Sequence, residues 1–99
     1  MSPRTRRKLA EKHSVSEDEV RQCFENMEGN LLKDRREDHQ SDVITWWFVA
    51  ETNRQRKLKV CFVIRRVETT DGPKTFFEVK TAYPPNADEI ALYDRYGKC

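Results

Sequence analysis

Several motifs that mark common enzyme classes are missing from this sequence. It contains no GxGxxG loop, no GxxxxGK[ST] loop and no GxSxG turn, which removes the usual signals of nucleotide binding and of a serine hydrolase. Its two histidines and three cysteines are too scattered to give metal-ligand spacing, so neither a metal nor any other cofactor is expected. No apolar run approaches the ~20 residues of a membrane span, and no membrane association is expected.

Cysteine is scarce, and its distribution bears on the compartment. Cys23, Cys61 and Cys99 are odd in number and far apart, with no CxxC pair and no signal peptide ahead of them. We therefore expect reduced thiols and a cytoplasmic location. A Cys–His nucleophile pair is the alternative, but structural thiols are favoured because Cys23 falls in an amphipathic segment and Cys61 in a strand-like one.

The chain is short and unusually charged. Its 99 residues fit a single domain over 1–99, and a chain of this length hides only roughly two-thirds of its unfolded surface. Charged residues make up 36% of it, against a usual share of ~25%, which predicts a thin core under a solvated surface. Two tryptophans, three tyrosines and five phenylalanines still provide enough apolar surface for a fold.

The charges are arranged in blocks, although the formal net charge is only +2. Segregation of this kind lets a nearly neutral protein present a positive face to phosphates; a solvated strand edge is the alternative. Between the two basic blocks lies an acidic stretch over residues 17–28. The cations of the N-terminal block are Arg4, Arg6, Arg7, Lys8 and Lys12. Those of the second block, which holds no acid, are Arg54, Arg56, Lys57, Lys59, Arg65 and Arg66.

Two helices are predicted before residue 30. The first covers Arg4–Lys12, directly after Pro3. The second begins at a capping box formed by Ser16 and Glu19, in which each side chain satisfies an otherwise free backbone N–H at the helix start. We expect Gly29 to end this helix as a left-handed C-cap.

From residue 30 the apolar period changes from helical to two, which predicts a sheet. A terminal helix follows over Ala87–Tyr96, with Asn86 and Glu89 as a second capping box. The predicted fold class is α+β: two N-terminal helices, a four-stranded antiparallel meander and a C-terminal helix. We expect the helices to cover one sheet face and the other face to be partly open. The expected strands are Leu31–Arg35, Ile44–Glu51, Lys57–Arg65 and Lys74–Tyr83, the last after a turn at Asp71-Gly72-Pro73.

Alternation along the third strand predicts a cationic sheet surface. The apolar side chains at even positions from 58 to 64 point to one side of the strand. Lys57, Lys59 and Arg65 then point to the other side, and Lys80 of the fourth strand is expected to join them in a surface that suits phosphates. Four aromatic side chains are candidates for stacking on exposed bases, with a place in the core as the alternative: Trp47, Tyr83, Tyr93 and Tyr96.

A short charged segment before the second strand concentrates acids, bases and an imidazole. It reads Asp34-Arg35-Arg36-Glu37-Asp38-His39. Such a mixture suits phosphate binding and proton transfer, with His39 as a candidate general base. A solvated loop with local ion pairs is the alternative.

Three segments carry a family resemblance. The first is Lys12-His13-Ser14-Val15-Ser16, followed by Glu19-Val20 and Phe24; the second is Arg56-Lys57-Leu58-Lys59-Val60; the third is the helix Ala87–Tyr96 after a strand that ends in Lys80-Thr81-Ala82-Tyr83. In order and spacing they resemble the BrnT family of toxins, within the RelE/ParE-like superfamily. The sequence departs from the family pattern in its long charged loop and in Ser14, where the family has glycine.

That resemblance implies a RelE/BrnT-like domain and a metal-independent endoribonuclease, in which a ribose 2′-OH attacks the adjacent phosphate. Basic residues would stabilise the phosphorane, while an imidazole or a phenol handles protons. The implied partners are RNA, with ribosome-bound mRNA as one form of it, and a small antitoxin protein that covers the basic groove. The expected catalytic residues are Lys57, Lys59, Arg65, Lys80, His39 and Tyr83. The expected nucleic-acid-binding residues are Arg35, Arg36, Arg54, Arg56 and Arg66.

Other functions compete with this one. A non-catalytic module that binds RNA, DNA or an acidic protein would use the same basic surface, and a protein-interaction or inhibitor domain is a third hypothesis. The sequence also resembles small bacterial proteins labelled ADP-ribosyl-(dinitrogen reductase) hydrolase. Enzymes that remove ADP-ribose in that way are much larger and use clustered acidic metal ligands, for which this chain has neither the length nor the spacing.

Overall fold

The computed structural model of this chain describes residues 2–33 and 44–97. It has the α+β layout that the sequence predicts, with two helices, a four-stranded antiparallel sheet and a final helix. The helices are α1 (Pro3–His13), α2 (Glu17–Glu25) and α3 (Ala87–Tyr96). The strands are β1 (Leu32–Lys33), β2 (Thr45–Glu51), β3 (Lys57–Thr69) and β4 (Gly72–Tyr83).

Helix α1 begins and ends at residues with defined capping roles. The Ser2 hydroxyl accepts a hydrogen bond from the Thr5 backbone N–H at 3.2 Å, and Pro3 lies in the first turn, where a missing N–H does no harm. The helix ends at Ser14, which adopts the left-handed conformation with φ 53°. This conformation favours glycine, because it crowds any Cβ against the backbone.

Helix α2 starts at the predicted capping box. The Ser16 hydroxyl accepts from the Glu19 N–H, and the Glu19 carboxylate accepts from the Ser16 N–H, both at 3.1 Å. The prediction that Gly29 ends this helix is wrong, since Asn26 is its C-cap. The Asn26 side chain explains the earlier end, because its amide donates to the Glu51 carbonyl at 2.9 Å and fixes the helix end to the end of β2.

The sheet is a meander with the strand order β1-β2-β3-β4. Strand β2 ends its pairing at Thr45 opposite Val63, whereas β3 and β4 stay paired as far as Thr69 opposite Gly72. Residues 64–77 therefore form a two-stranded extension beyond the rest of the sheet, here called the projecting hairpin. It makes β3 four residues longer than the predicted Lys57–Arg65.

Helices lie on both faces of the sheet, which corrects the expectation of a single covered face. Phe24 of α2 packs edge-on against Phe48 and Phe62, with ring centroids 5.0 and 5.2 Å away. Tyr93 of α3 instead contacts the Trp47 ring at 5.8 Å. Since side chains alternate along a strand, even positions of β2 and β3 form the α2 face and odd positions the α3 face. Along the projecting hairpin both faces are open, since residues 64–67 and 73–77 are exposed.

Tyr93 is the residue that fixes α3 to the sheet. It is 1% exposed, and its hydroxyl donates to the Asn30 carbonyl at 2.9 Å. Two glycines make room for it: a Cβ at Gly29 would lie 2.5 Å from its hydroxyl oxygen, and one at Gly97 would lie 2.5 Å from a ring carbon. Close packing around this ring is the reason for glycine at both positions, and Gly97 is also the C-cap of α3.

Candidate nucleic-acid interface

The predicted catalytic Lys59 lies in the interior, bound to a carboxylate. It is 2% exposed, and its ammonium donates to Glu89 Oε2 at 2.6 Å. The ring of Trp47 lies beneath the ammonium, with its centroid 4.6 Å from Nζ. Glu89 comes from the first turn of α3, so this ion pair joins β3 to the start of the last helix.

Tyr83, the predicted proton carrier, belongs to the same cluster. It lies opposite Lys59 in the β3–β4 register, and its hydroxyl donates to Glu89 Oε2 at 2.9 Å. The His13 ring at the end of α1 packs against the Tyr83 ring, with centroids 5.6 Å apart. Four titratable side chains therefore meet where α1, β3, β4 and α3 converge. We call His13, Lys59, Tyr83 and Glu89 the Lys59 cluster.

The interactions within the Lys59 cluster favour the charged ion pair. Burial alone would lower the pKa of Lys59, but its hydrogen bonds with Glu89 and Tyr83 outweigh burial and raise that pKa. Burial alone would raise the pKa of Glu89, yet the hydrogen bonds from Lys59, the Asn86 N–H and Tyr83 lower it. Burial and the neighbouring carboxylate raise the pKa of the Tyr83 phenol. At neutral pH the cluster holds a cation, an anion and a neutral phenol.

Arg56, predicted to bind nucleic acid, is held by a second capping glutamate. Its guanidinium donates to Glu19 Oε2 at 3.0 Å and to the backbone carbonyls of Ser14 and His13 at 2.8 and 3.1 Å. Glu19 and Glu89 thus share one design: one carboxylate oxygen caps a helix and the other binds a cation at the start of β3. Arg56 therefore ties the α1–α2 connection to the sheet.

Arg65 and Lys80 lie on the open part of the α3 face, as predicted, and they share one carboxylate. Arg65 Nε donates to Glu78 Oε2, and Lys80 Nζ lies 3.8 Å from Glu78 Oε1. The Arg65 hydrogen bond is the main reason that the pKa of Glu78 is lowered. Lys80 reaches this carboxylate from an irregularity in the β3–β4 pairing, which passes from Cys61 opposite Thr81 to Phe62 opposite Val79.

The remaining predicted cations do not converge on the Lys59 cluster. Lys57 is exposed and lies on a groove of about 500 Å³ whose walls also include Glu25, Glu51 and Asp94. Arg54 is exposed in the β2–β3 turn. Arg66 is exposed at an even position of β3 and so points away from the α3 face. Three further predictions, Arg35, Arg36 and His39, lie outside the described residues.

Two of the four aromatic residues proposed for base stacking are core residues instead. Trp47 is 5% exposed and Tyr93 is 1% exposed. Tyr83 is half-buried in the Lys59 cluster, while Tyr96 is 55% exposed, with the Arg95 guanidinium 5.4 Å from its ring centroid. Stacking on a base is therefore open to Tyr96 alone among these four.

The N-terminal basic block forms the exposed cationic surface that the site prediction missed. Arg6 pairs with Glu17 at 2.9 Å. The other four cations are exposed, have no ion-pair partner within residues 2–33 and 44–97, and line one open concavity along α1. We call Arg4, Arg7, Lys8 and Lys12 the α1 basic surface. The segregated charge pattern indicates these residues, and their helical spacing aligns positions 4, 8 and 12 on one side of α1.

Glu89 and His13 were the other omissions. Glu89 was recognised only as a helix cap, because the sequence does not show that its second oxygen reaches a lysine 30 positions away. His13 is the last residue of α1, and its ring meets Tyr83 there. A signal for Glu89 existed in its spacing, since it follows Tyr83 by only six residues, with Pro84 and Pro85 between the strand and the helix.

Within residues 2–33 and 44–97, no three His, Cys, Asp or Glu side chains are grouped as metal ligands. Among the helices that the structure describes, none is long and apolar enough to cross a bilayer. Comparison of the chain with protein-family models, with curated proteins and with solved structures finds no match.

Proposed function

We propose that this protein binds nucleic acid through phosphate contacts on the α1 basic surface, without cutting it. One observation carries the proposal: Arg4, Arg7, Lys8 and Lys12 are exposed together on one helix, and none of them forms an ion pair with a carboxylate among the described residues. Exposed lysine and arginine side chains bind phosphates by releasing condensed counterions, which needs no base-specific geometry.

Differences in charge pairing favour α1 over the sheet. On the α3 face, Lys59 is buried against Glu89, while Arg65 and Lys80 share Glu78. A phosphate that binds there must compete with a carboxylate already in place, and it gains only the difference between the two interactions. On α1, Glu11 is the one carboxylate on the same concavity among the described residues, and it forms no ion pair with the four cations.

The spacing of the α1 cations suits a polyanion. Arg4, Lys8 and Lys12 recur every fourth residue, so they lie on one side of the helix and span about 12 Å along its axis. An extended strand with several phosphates can contact all of them at once. Contacts of this kind set affinity rather than sequence preference, so we expect weak discrimination between sequences.

The test is the salt dependence of binding, measured by fluorescence anisotropy with a labelled single-stranded RNA. Four phosphate contacts predict that log K falls with log salt at a slope of about −2.8, which is a loss of roughly 50-fold between 50 and 200 mM. The double variant Lys8→Gln/Lys12→Gln should reduce the slope to about −1.4. The matched variant Arg65→Gln/Lys80→Gln removes the same charge from the sheet and should leave the slope near that of the unchanged protein. The reverse ranking of these two variants would refute the proposal.

A second candidate is the metal-independent ribonuclease implied by the BrnT resemblance. The Lys59 cluster favours it, because an imidazole, a phenol, a carboxylate and an ammonium meet beside α1, and these groups suit proton transfer and charge stabilisation. The left-handed Ser14 also supports the resemblance, since the family has glycine there. Against the activity stands Lys59 itself, whose ammonium would have to leave Glu89 to reach a phosphate.

The two candidates separate in one experiment. RNA incubated with the protein and then sequenced at its ends should remain intact if the protein only binds. The ribonuclease hypothesis requires products with a 2′,3′-cyclic phosphate, their loss in Tyr83→Phe, and growth arrest on expression in a bacterium. A small acidic antitoxin that relieves this arrest would be the corresponding protein partner. Uncut RNA and unchanged growth would reject the ribonuclease hypothesis and leave binding as the remaining proposal.

A further inference from the structure

The outer edge of β4 has the residue pattern of a strand that pairs with a second copy of itself. In the part of the chain that the structure describes, β4 pairs with β3 alone, which leaves its other edge without a strand. Lys74, Phe76 and Glu78 lie at alternate positions on one face of this strand, and Phe76 is 50% exposed. An unpaired edge of this length is a template for another strand.

We propose that two copies of this chain pair antiparallel through their β4 edges, with a two-fold axis at Phe76. In this register Lys74 of one copy lies opposite Glu78 of the other, Phe76 lies opposite itself, and Glu78 lies opposite Lys74. In two antiparallel copies of the segment Lys74-Thr75-Phe76-Phe77-Glu78, the positive end of each copy thus faces the negative end of the other. Opposite charges and aromatic pairs placed directly across two antiparallel strands stabilise the pairing, and a two-fold axis repeats each ion pair.

The surroundings of this segment define a short interface. Pro73 has no N–H to donate, and the irregularity at Lys80 ends regular pairing on the other side. The ladder therefore covers residues 74–78 of each copy. Helix α1 also packs against β4. Its ring contact with this strand is at Tyr83, the opposite end, while Lys74, Thr75 and Phe76 are exposed. A five-residue ladder predicts a reversible dimer whose population rises with protein concentration.

Charge favours a second copy over an unrelated strand. Lys74 has no ion-pair partner within residues 2–33 and 44–97, whereas Glu78 holds Arg65 and Lys80 and retains accessible surface, with its side chain 40% exposed. Both charges find a partner when Lys74 lies opposite Glu78 of the second copy. If the strands slide by two residues in either direction, Lys74 lies opposite Phe76 or Lys80 and the ion pairs are lost. The two exposed Phe76 rings then shield part of each other from water.

Sedimentation velocity over a range of concentrations tests the pairing with a charge exchange. The unchanged protein should show a monomer–dimer equilibrium. Lys74→Glu and Glu78→Lys should each weaken dimerisation by roughly tenfold or more, because each places like charges opposite at two symmetric sites. The double variant Lys74→Glu/Glu78→Lys should restore it. A protein that stays monomeric at all concentrations, or a folded double variant that does not regain the dimer, would overturn the proposal.

A cross-linking experiment covers the case in which Glu78→Lys unfolds the hairpin. In a Cys99→Ser background, Phe76→Cys places two thiols opposite each other on the two-fold axis, within the Cα separation of about 7 Å that a disulfide allows. The control Lys74→Cys places its two thiols four residues apart along the strands, at about 13 Å. Mild oxidation should cross-link the first variant and not the second. Equal cross-linking of both, or of neither, would contradict the proposed register and with it the dimer; a strand from another protein would then remain as the occupant of this edge.

Discussion

Removal of the charge on Glu89 should destabilise the protein more than any exposed ion pair does. Lys59 is 2% exposed and its ammonium is 2.6 Å from Glu89 Oε2, so the variant Glu89→Gln leaves a buried cation without its anion. Breaking a buried pair from one side typically costs 3–5 kcal/mol, and we expect about 3 kcal/mol here because Tyr83 and the Trp47 ring still contact the ammonium. Glutamine keeps an oxygen for the Asn86 N–H, so the loss reports charge rather than the helix cap.

The assay is urea denaturation followed by circular dichroism, applied to Glu89→Gln, Lys59→Met and the double variant. Because the double variant removes both charges, it should lose at least about 2 kcal/mol less than the sum of the single losses. As a matched control, Glu25→Gln breaks the exposed pair with Arg21 and should cost about 0.5 kcal/mol or less. A loss below about 1 kcal/mol for Glu89→Gln, or additive losses in the double variant, would refute the view that Lys59 and Glu89 form a buried structural pair.

Three further outcomes are expected. Ser14→Gly should raise the free energy of unfolding by about 0.5–1 kcal/mol in the same assay, because φ 53° strains a side chain that glycine lacks; an unchanged or lower stability would contradict this. Gly97→Ala should lower it by about 1–3 kcal/mol, since the new methyl would collide with the Tyr93 ring, and a neutral effect would show that this ring is not tightly held. The Cys23 thiol is buried, which raises its pKa to about 11. Iodoacetamide should therefore modify Cys23 only after urea unfolds the protein. Rapid modification of Cys23 in the folded protein would contradict its place in the core.

Acid should destabilise the protein before mild alkali does, and the reason lies in the two capping glutamates. Burial raises the pKa of Glu19 and Glu89, but hydrogen bonds from the backbone and from Arg56 or Lys59 outweigh it and lower both values. Because the pKa of each glutamate is lower in the folded protein than in the unfolded chain, where it is about 4.3, each carboxylate stabilises the fold above that unfolded pKa. This stability is lost as the pH falls through the pKa of the folded protein. The raised pKa of Lys59 adds stability that is present below about pH 10.4 and is lost at higher pH.

Local signals in the sequence were enough for the element order. The capping boxes at Ser16 and Asn86 were predicted with their correct partners, because a side chain that bonds a backbone three residues away is a local event. Alternation placed Lys57, Lys59 and Arg65 on one side of β3 for the same reason. Gly29 failed as a helix end since its role is to make room for Tyr93, which is 64 positions away.

The availability of each cation depended on tertiary contacts and was not predictable from local pattern. Lys59 looks like an exposed lysine in sequence, yet α3 folds over it and supplies Glu89. Arg56 likewise looks solvated, but it binds two backbone carbonyls of the α1–α2 connection. Such contacts arise from how the helices and their connections pack against the sheet, so the sequence located the basic residues without showing which of them a phosphate can reach.

The most direct test of the central claim is an NMR titration of ¹⁵N-labelled protein with a short single-stranded RNA. If the α1 basic surface binds phosphates, the amide shifts that change should map to residues 4–12. Amides of β3 and β4 around Arg65 and Lys80 should stay in place. Changes confined to the sheet, with α1 unaffected, would contradict the claim.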